Sequence, residues 1–342
     1  MKDLLERCWY GTCHGSCHYR FLLVPLSLIF FLLVACRRLA YRVGLFKVRR
    51  LPVAVIVVGN LGVGGSGKTP LTLCIVQWLI ELGYHPGIIS RGYGGRARSP
   101  MPVRADSDPA LIGDEPVLLA HRAACPVWIG RKRVEAGRQL LACHPEVDVL
   151  VADDGLQHYA LHRDMEIVVV DGKRGFGNGR LLPAGPLREP LGRLATVDAA
   201  VINGGNPDDF ILLPPSFAMR LRGATFHNLR DPARTSVAAE LIANSAGQQI
   251  HALAGIGNPQ RFFDHLERLG LKVTPHAFPD HHVYTANDLP AGTLLMTEKD
   301  AVKCAAFASP DTWFLAVDAE LEPGLKTLID HTLKARHGPQ TA

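Results

Sequence analysis

No pair among the eight cysteines of this 342-residue chain has the spacing Cys-x-x-Cys. Cys8, Cys13, Cys17, Cys36, Cys74, Cys125, Cys143 and Cys304 therefore offer neither a dithiol redox motif nor a zinc ribbon. Cys8, Cys13 and Cys17 with His14 and His18 fit no standard zinc spacing and lack a second ligand pair. Scattered, reduced thiols in a cytosolic body are the expectation. The chain also has no internal repeat and no low-complexity tract. Charge is missing from Phe21 to Cys36, an apolar run just short of the roughly 20 residues that span a bilayer. Acids are scarce around that run. Residues 1–50 hold nine Lys/Arg and only Asp3 and Glu6, whereas the remainder holds 28 basic and 30 acidic residues. The net charge of +5 thus belongs to the N-terminal segment. A nucleic-acid surface on the body is excluded, and an anionic membrane surface is indicated for the segment. No A-x-A site precedes Arg37, Arg38 and Arg42, so a cleaved signal peptide is not expected. The segment either spans with the body on the cytoplasmic side or lies in the interface as an anchor.

What the chain does have begins after the apolar run Val53–Val58. Gly62, Val63, Gly64, Gly65, Ser66, Gly67, Lys68 and Thr69 are in G-x-x-x-x-G-K-[ST] register, a phosphate-binding loop. Backbone N–H groups turned inward by the glycines would cradle the phosphates of ATP. Lys68 would reach the β- and γ-phosphates, and the Thr69 hydroxyl would bind Mg²⁺. The helix predicted over Leu71–Leu82 aims its positive end at the anion, and Pro70 suits its first turn.

From there strand and helix alternate. Strands are predicted at His85–Ser90, Val127–Ile129, Val147–Ala152, Glu166–Val170 and Ala199–Asn203. Helices are predicted at Pro116–Ala124 and Arg131–Cys143. Strands this apolar belong in a parallel sheet covered by helices on both faces, with ligands at the carboxyl ends. After residue 205 prolines break the pattern, and Phe217–Leu229 reads as extended or hairpin-like. A second alternation follows: strands at His251–Ala254, Leu271–Pro275, Leu294–Thr297 and Trp313–Val317, and helices at Gln260–Leu269 and Ala301–Phe307. The expected class is α/β: a P-loop NTPase-like sheet, a smaller C-terminal α/β domain and an N-terminal apolar helix. The expected divisions are 1–50 for the membrane segment, 51–205 for the P-loop domain, 206–230 for a linker or hairpin and 231–342 for the smaller domain.

Several side chains stand where chemistry is done. Asp153 and Asp154 end a predicted strand, as a Mg²⁺-holding carboxylate does beside a P-loop. Two adjacent acids repel unless a cation lies between them; a plain Asp–Gly turn is the bland alternative. Asp114, in Gly-Asp-Glu-Pro, is either an acidic helix start or a general base. Arg91 and Tyr93 lie in a Gly-rich loop able to close over phosphates or sugar. Arg188 lies in a second such loop and could neutralise phosphate charge. Gln157 and His158 follow the acid pair. His281, in Phe-Pro-Asp-His-His, is a solvated loop residue or a partner for a carboxylate base. Thr297-Glu298-Lys299-Asp300 reads as a helix cap.

The motifs Gly-Asn-Leu-x-Val-Gly-Gly-x-Gly-Lys-Thr-Pro, Ser-Arg-Gly-Tyr-Gly, Gly-Asp-Glu-Pro and Asp-Asp-Gly-Leu-Gln-His come in that order. Leu-Pro-Ala-Gly-Pro-Leu-Arg-Glu, Ala-Gly-Ile-Gly-Asn-Pro, Phe-x-Asp-His-His and Thr-Glu-Lys-Asp-Ala-Val-Lys follow. From about Arg20 to about residue 330 the chain resembles the tetraacyldisaccharide 4′-kinase family of lipid A biosynthesis. The resemblance implies transfer of the ATP γ-phosphate to the 4′-hydroxyl of a lipid A disaccharide 1-phosphate, at the cytoplasmic face of the inner membrane. It implies Asp114 as general base, His281 as its helper, and Asp153 and Asp154 near Mg²⁺. Arg91, Tyr93, Gln157 and Arg188 are then candidates for substrate or phosphate contact, and a monomer is expected. The alternatives are a membrane-bound P-loop ATPase switch or a kinase of another amphipathic sugar. The first 18 residues lie outside the resemblance.

Overall fold

The structure, a computed structural model, describes residues 2–11, 19–210, 214–245 and 247–337. Cys13, His14, Cys17 and His18, weighed above as a metal cluster, lie outside those residues. Eight strands come first along the chain: β1 (Ala54–Gly59), β2 (Pro86–Ser90), β3 (Met101–Val103), β4 (Val127–Ile129), β5 (Val149–Asp153), β6 (Met165–Asp171), β7 (Ala199–Asn203) and β8 (Ser216–Arg222). Six more form a second sheet: β9 (Thr225–Asn228), β10 (Thr235–Val237), β11 (Ile250–Ala254), β12 (Val273–Ala277), β13 (Leu294–Thr297) and β14 (Thr312–Leu315). A last strand, β15 (Asp318–Leu321), returns to the first sheet.

The large sheet has nine strands in the order β15-β8-β7-β6-β1-β5-β2-β4-β3. Its interior pairs are parallel, while β3 and β15 close the two edges antiparallel. β1, β5, β6 and β7 are buried along their whole length, which is why they read as unbroken apolar runs. The ten helices described are α1 (Lys2–Trp9), α2 (Tyr19–Arg42), α3 (Lys68–Glu81), α4 (Pro109–Ile112), α5 (Asp114–Arg122), α6 (Arg133–Cys143), α7 (Ala238–Asn244), α8 (Pro259–Arg268), α9 (Glu298–Cys304) and α10 (Gly324–His337). Leu71, Ile75 and Leu79 of α3, Val117 and Leu119 of α5, and Leu325, Ile329 and Leu333 of α10 pack into one core. Val134 and Leu140 of α6 pack into the other. The small sheet, ordered β10-β9-β14-β13-β11-β12, has its own cores, filled by Phe262, Phe263 and Leu266 of α8 and by Ala301 and Cys304 of α9.

Sheet membership divides the chain differently from the sequence expectation. The stretch 206–230 is no hairpin, because β8 pairs with β7 in the large sheet and β9 with β14 in the small one. The chain crosses back after Leu315, so β15 and α10 belong to the P-loop unit and not to a unit running from 231 to 342. The physical reason is the edge strand β8, whose open backbone groups β15 satisfies. Other predicted elements are displaced by a few residues. The helix after the P-loop starts at Lys68, and the Asp114 helix starts at Asp114 itself.

The apolar N-terminal run is a 24-residue helix, α2, long and apolar enough to cross a membrane. It lies along the body. Ser27 Oγ donates to the Leu181 carbonyl at 2.8 Å, and Phe30 packs on the second core. Arg37 donates to the Gln157 carbonyl at 3.2 Å, and Tyr41 meets the Tyr159 ring at 5.7 Å. Positions 27, 30, 37 and 41 share one helix face. Leu26, Ile29, Leu32 and Leu33 are exposed. Cys74, Cys125 and Cys304 are unbridged, and burial pushes each thiol up to about 12, which fits inert reduced thiols.

Candidate active site in the cleft between the two sheets

A cleft of about 1470 Å³ opens between the two units. One wall is the P-loop from Val63 to Pro70 with Lys68, Asp154 and Arg188; the other carries Gly257, Asp280, His281 and Lys299.

On the first wall, β1 delivers the chain to the P-loop and Gly67 caps α3 with φ 94°. A Cβ there would stand 2.3 Å from Nδ2 of Asn203, so glycine is required on two counts. Asn203, at the end of β7, donates to the Ser66 carbonyl at 2.9 Å and holds the loop from behind. The Leu181–Glu189 loop braces the front: Val63 N–H donates to the Pro186 carbonyl at 2.9 Å and Arg188 N–H to the Leu61 carbonyl at 2.6 Å. That brace brings Arg188 to 3.4 Å from Asp154, whose other oxygen is 3.6 Å from Lys68 Nζ. Gln157 serves the same brace. Its amide donates to the Asn60 carbonyl at 3.1 Å and to Glu189 at 2.8 Å.

The two acids differ in state. Burial, with Glu115 and Asp154 nearby, pushes Asp153 up to about 7. Burial also acts against Asp154, but Lys68, Arg188 and Arg133 outweigh it and hold that carboxyl below its usual range. Asp153 Oδ2, Asp154 Oδ1 and Ser66 Oγ are buried without a hydrogen-bond partner among the described residues. Thr72 Oγ1 donates to the other Asp153 oxygen at 3.2 Å. No group of three or more His, Cys, Asp or Glu side chains able to hold a metal is found among the described residues. Mg²⁺ needs no such cage, because it binds through one or two carboxylates together with substrate phosphates.

On the second wall, Asp114 opens α5 and is 5% exposed. His281 Nδ1 lies 3.0 Å from both Asp114 oxygens. Burial raises the Asp114 carboxyl, yet the His281 hydrogen bond, Lys299 and Lys303 together hold it below its usual range. Tyr93 meets the His281 ring at 4.9 Å and is itself exposed at the cleft. Among the described residues the only non-glycines with positive φ are Asp154 (49°) and His281 (61°), one on each wall. Such conformations cost about 1 kcal/mol or more and collect at functional sites.

The structure therefore brings together Lys68, Asp154, Arg188, Asp114, His281 and Tyr93. Asp153 sits beneath them, bonded to α3. It does not bring Arg91 or Gln157 to the cleft. Arg91 is exposed away from its lining, and the Gln157 amide is spent on bracing. Sequence reasoning passed over Asn203, Arg261, Gly257 and the two lysines of α9. Arg261 donates to Asn203 at 2.5 Å across the units, and a Cβ on Gly257 would stand 2.6 Å from the Gly65 nitrogen. Gly257 stood in the Ala-Gly-Ile-Gly-Asn-Pro motif, and Lys299 and Lys303 in Thr-Glu-Lys-Asp-Ala-Val-Lys as same-face cations four residues apart.

The model of a family described as tetraacyldisaccharide-1-P 4′-kinase matches residues 19–334. A tetraacyldisaccharide 4′-kinase of Methylobacillus flagellatus is 52% identical over 328 residues, covering 95% of this chain and 94% of its own. One of Chromobacterium violaceum is 50% identical over 346 residues, covering 98% and 99%. The crystal structure of LpxK from Aquifex aeolicus in complex with ATP superposes with a TM-score of 0.78 at 30% identity, covering 92% of this chain and 99% of that one.

Proposed function

Since the chain belongs to the tetraacyldisaccharide-1-P 4′-kinase family, we propose that it transfers its phosphoryl group with Asp114 and His281 facing the P-loop across the cleft. The chain is an ATP-dependent kinase of the 4′-hydroxyl of tetraacyldisaccharide 1-phosphate, acting in lipid A biosynthesis. The residue roles are our reading. Lys68 and the amides of residues 62–69 bind the triphosphate, and Arg188 adds charge beside them. Thr69 and Asp154 would hold Mg²⁺, with Asp153 behind, which suits the unpartnered buried oxygens of the two acids. Bound there, the ion would neutralise charge on the transferring phosphoryl group. Tyr93 offers an aromatic face to the sugar. Asp114, held ionised, takes the proton of the 4′-hydroxyl as that oxygen attacks the γ-phosphorus and ADP leaves.

The observation that carries this reading is the 3.0 Å contact between Asp114 and His281, residues contributed by different units. One further reading has an observation of its own: His281 lines the cleft while Asp114 lies behind it, so the ring could receive the proton and Asp114 orient it. Labelled γ-phosphate transfer to the lipid in detergent micelles tests both. Asp114→Ala is expected to lose at least roughly 100-fold in kcat, the scale of a general base. ATP hydrolysis without lipid phosphorylation would reject the assignment.

The membrane arrangement is also our reading. Helix α2 touches the body near both ends, which a helix crossing the bilayer away from the body could not do. Its opposite face is a strip of exposed leucines, and Arg37, Arg38 and Arg42 follow. We place it in the plane of the cytoplasmic leaflet of the inner membrane, with Arg38 and Arg42 at the headgroups and the body in the cytoplasm. A monomer suffices, since one chain supplies both walls.

A further inference from the structure

The Thr-Glu-Lys-Asp motif is more than a helix cap. Thr297 caps α9, its Oγ1 donating to Asp300 at 2.6 Å. Asp300, fully buried, also accepts from Gly255 N–H at 2.9 Å and from the Tyr284 hydroxyl at 3.0 Å. These bonds fix the first turn of α9 and so aim Lys299. The lysine points out of the small unit. Its Nζ donates to Glu115 at 2.8 Å and to Asp280 at 3.1 Å, and lies 4.0 Å from Asp114. Glu115 directly follows Asp114, and Asp280 directly precedes His281. One ammonium thus grips the immediate neighbours of both members of the pair, one on each unit.

We propose that Lys299 is a positioning residue that assembles the Asp114–His281 pair across the domain boundary. Glu298, the preceding residue, supports the same docking: Arg122 near the far end of α5 donates to it at 3.0 and 2.8 Å. The first turn of α9 is thereby tied to both ends of the helix that carries Asp114. An ammonium suits the task, because three donors on a flexible stem can serve two carboxylates that approach from different elements. Its reach to Asp114 at 4.0 Å is too long for a hydrogen bond, so it steers the pair without competing with His281 for the carboxylate. The inference rests on the Asp114–His281 reading above and adds to it the residue that brings the two halves into register.

The test is a double-mutant cycle in the micelle assay with Lys299→Met, His281→Ala and the double variant, with unfolding midpoints measured for each. Lys299→Met is expected to lower kcat by roughly 10- to 100-fold, the cost of misplacing a reacting group by about 1 Å. KM for ATP should change by less than about threefold, because the interaction matters in the transition state and not for binding. In the His281→Ala background the same substitution should cost less than about threefold, since residues acting through one another are not additive. Glu115→Gln, which keeps the shape and weakens the lysine's anchor on the Asp114 side, should reproduce the Lys299→Met defect if that variant folds poorly. Full additivity in the cycle, or a defect confined to KM for ATP, would overturn the proposal. A normal rate for His281→Ala alone would instead reject the underlying pair.

Discussion

The P-loop wall stands on a nine-stranded sheet whose central strands are buried from end to end, whereas the facing wall is assembled from two units tied together there by charged side chains. The first wall is held by backbone: Val63 and Arg188 bond main chain to main chain, and Asn203 reaches a main-chain carbonyl. The second is held by charge: Lys299 to Glu115 and Asp280, Arg122 to Glu298, His281 to Asp114. Backbone bonding on a rigid sheet makes a permanent anion cradle. Ion pairs between units can form and part, which would let the proposed base and the phosphate come together around two substrates and exclude water. On the proposed reading, triphosphate binding rests on the P-loop wall and chemistry on both walls.

The contrast can be broken from either side. Gly67→Ala attacks the first wall where a Cβ meets Asn203 and φ is 94°. It should abolish ATP binding in a fluorescent-nucleotide titration and lower the unfolding midpoint, with strain on the order of 1–3 kcal/mol. His281→Ala leaves the P-loop wall intact, so nucleotide affinity should hold while kcat falls by roughly 100-fold. Its pH profile carries a sign. His281 and the lysines hold Asp114 low, so activity that needs the carboxylate survives acidification and is lost only as pH falls through that depressed value. Removing the imidazole should move the acid limb to higher pH, and an unmoved limb would argue that Asp114 is not the group titrating. Stability has the same direction: the ionised Asp114 contributes above the unfolded carboxylate range, and that contribution fades as pH drops through the folded value.

Gly257→Ala sharpens the comparison at a place where backbones of the two units nearly touch. The added methyl would stand 2.6 Å from the Gly65 nitrogen, so the units would be wedged apart without disturbing either sheet. We expect roughly a tenfold loss in kcat with an unchanged unfolding midpoint, on the scale of modest misplacement of reacting groups. Replacing Arg38 and Arg42 together by Gln should leave turnover in micelles nearly unchanged. Co-sedimentation with anionic vesicles should weaken by about 1 kcal/mol per charge removed.

Legibility followed the same divide. The glycine register from Gly62 to Gly67, the strand before it and the acid pair at 153–154 could be read because each is local, within a dozen residues of chain. Arg188 was found as a loop arginine, though the brace that aims it was not. Gln157 looked like a ligand because it follows the acids, yet its neighbour in space is Glu189. Lys299 looked like a capping segment because its partners, Glu115 and Asp280, lie 184 and 19 residues away. The return of β15 to the large sheet was hidden for the same reason, since Asp318 pairs with Arg222 across a whole intervening unit.

By itself the sequence determined the ligand and the scaffold. A glycine-rich loop after an apolar strand dictates backbone turned toward phosphate, and apolar runs four to seven residues long dictate a buried parallel sheet. An uncharged run followed by arginines supports the membrane contact proposed above. Only the tertiary structure decided that Asp114 meets His281, and that one lysine bridges their chain neighbours. Those outcomes depend on distances of 3 to 4 Å between groups brought together by two separate cores, and no local pattern of residue types encodes how the two cores meet.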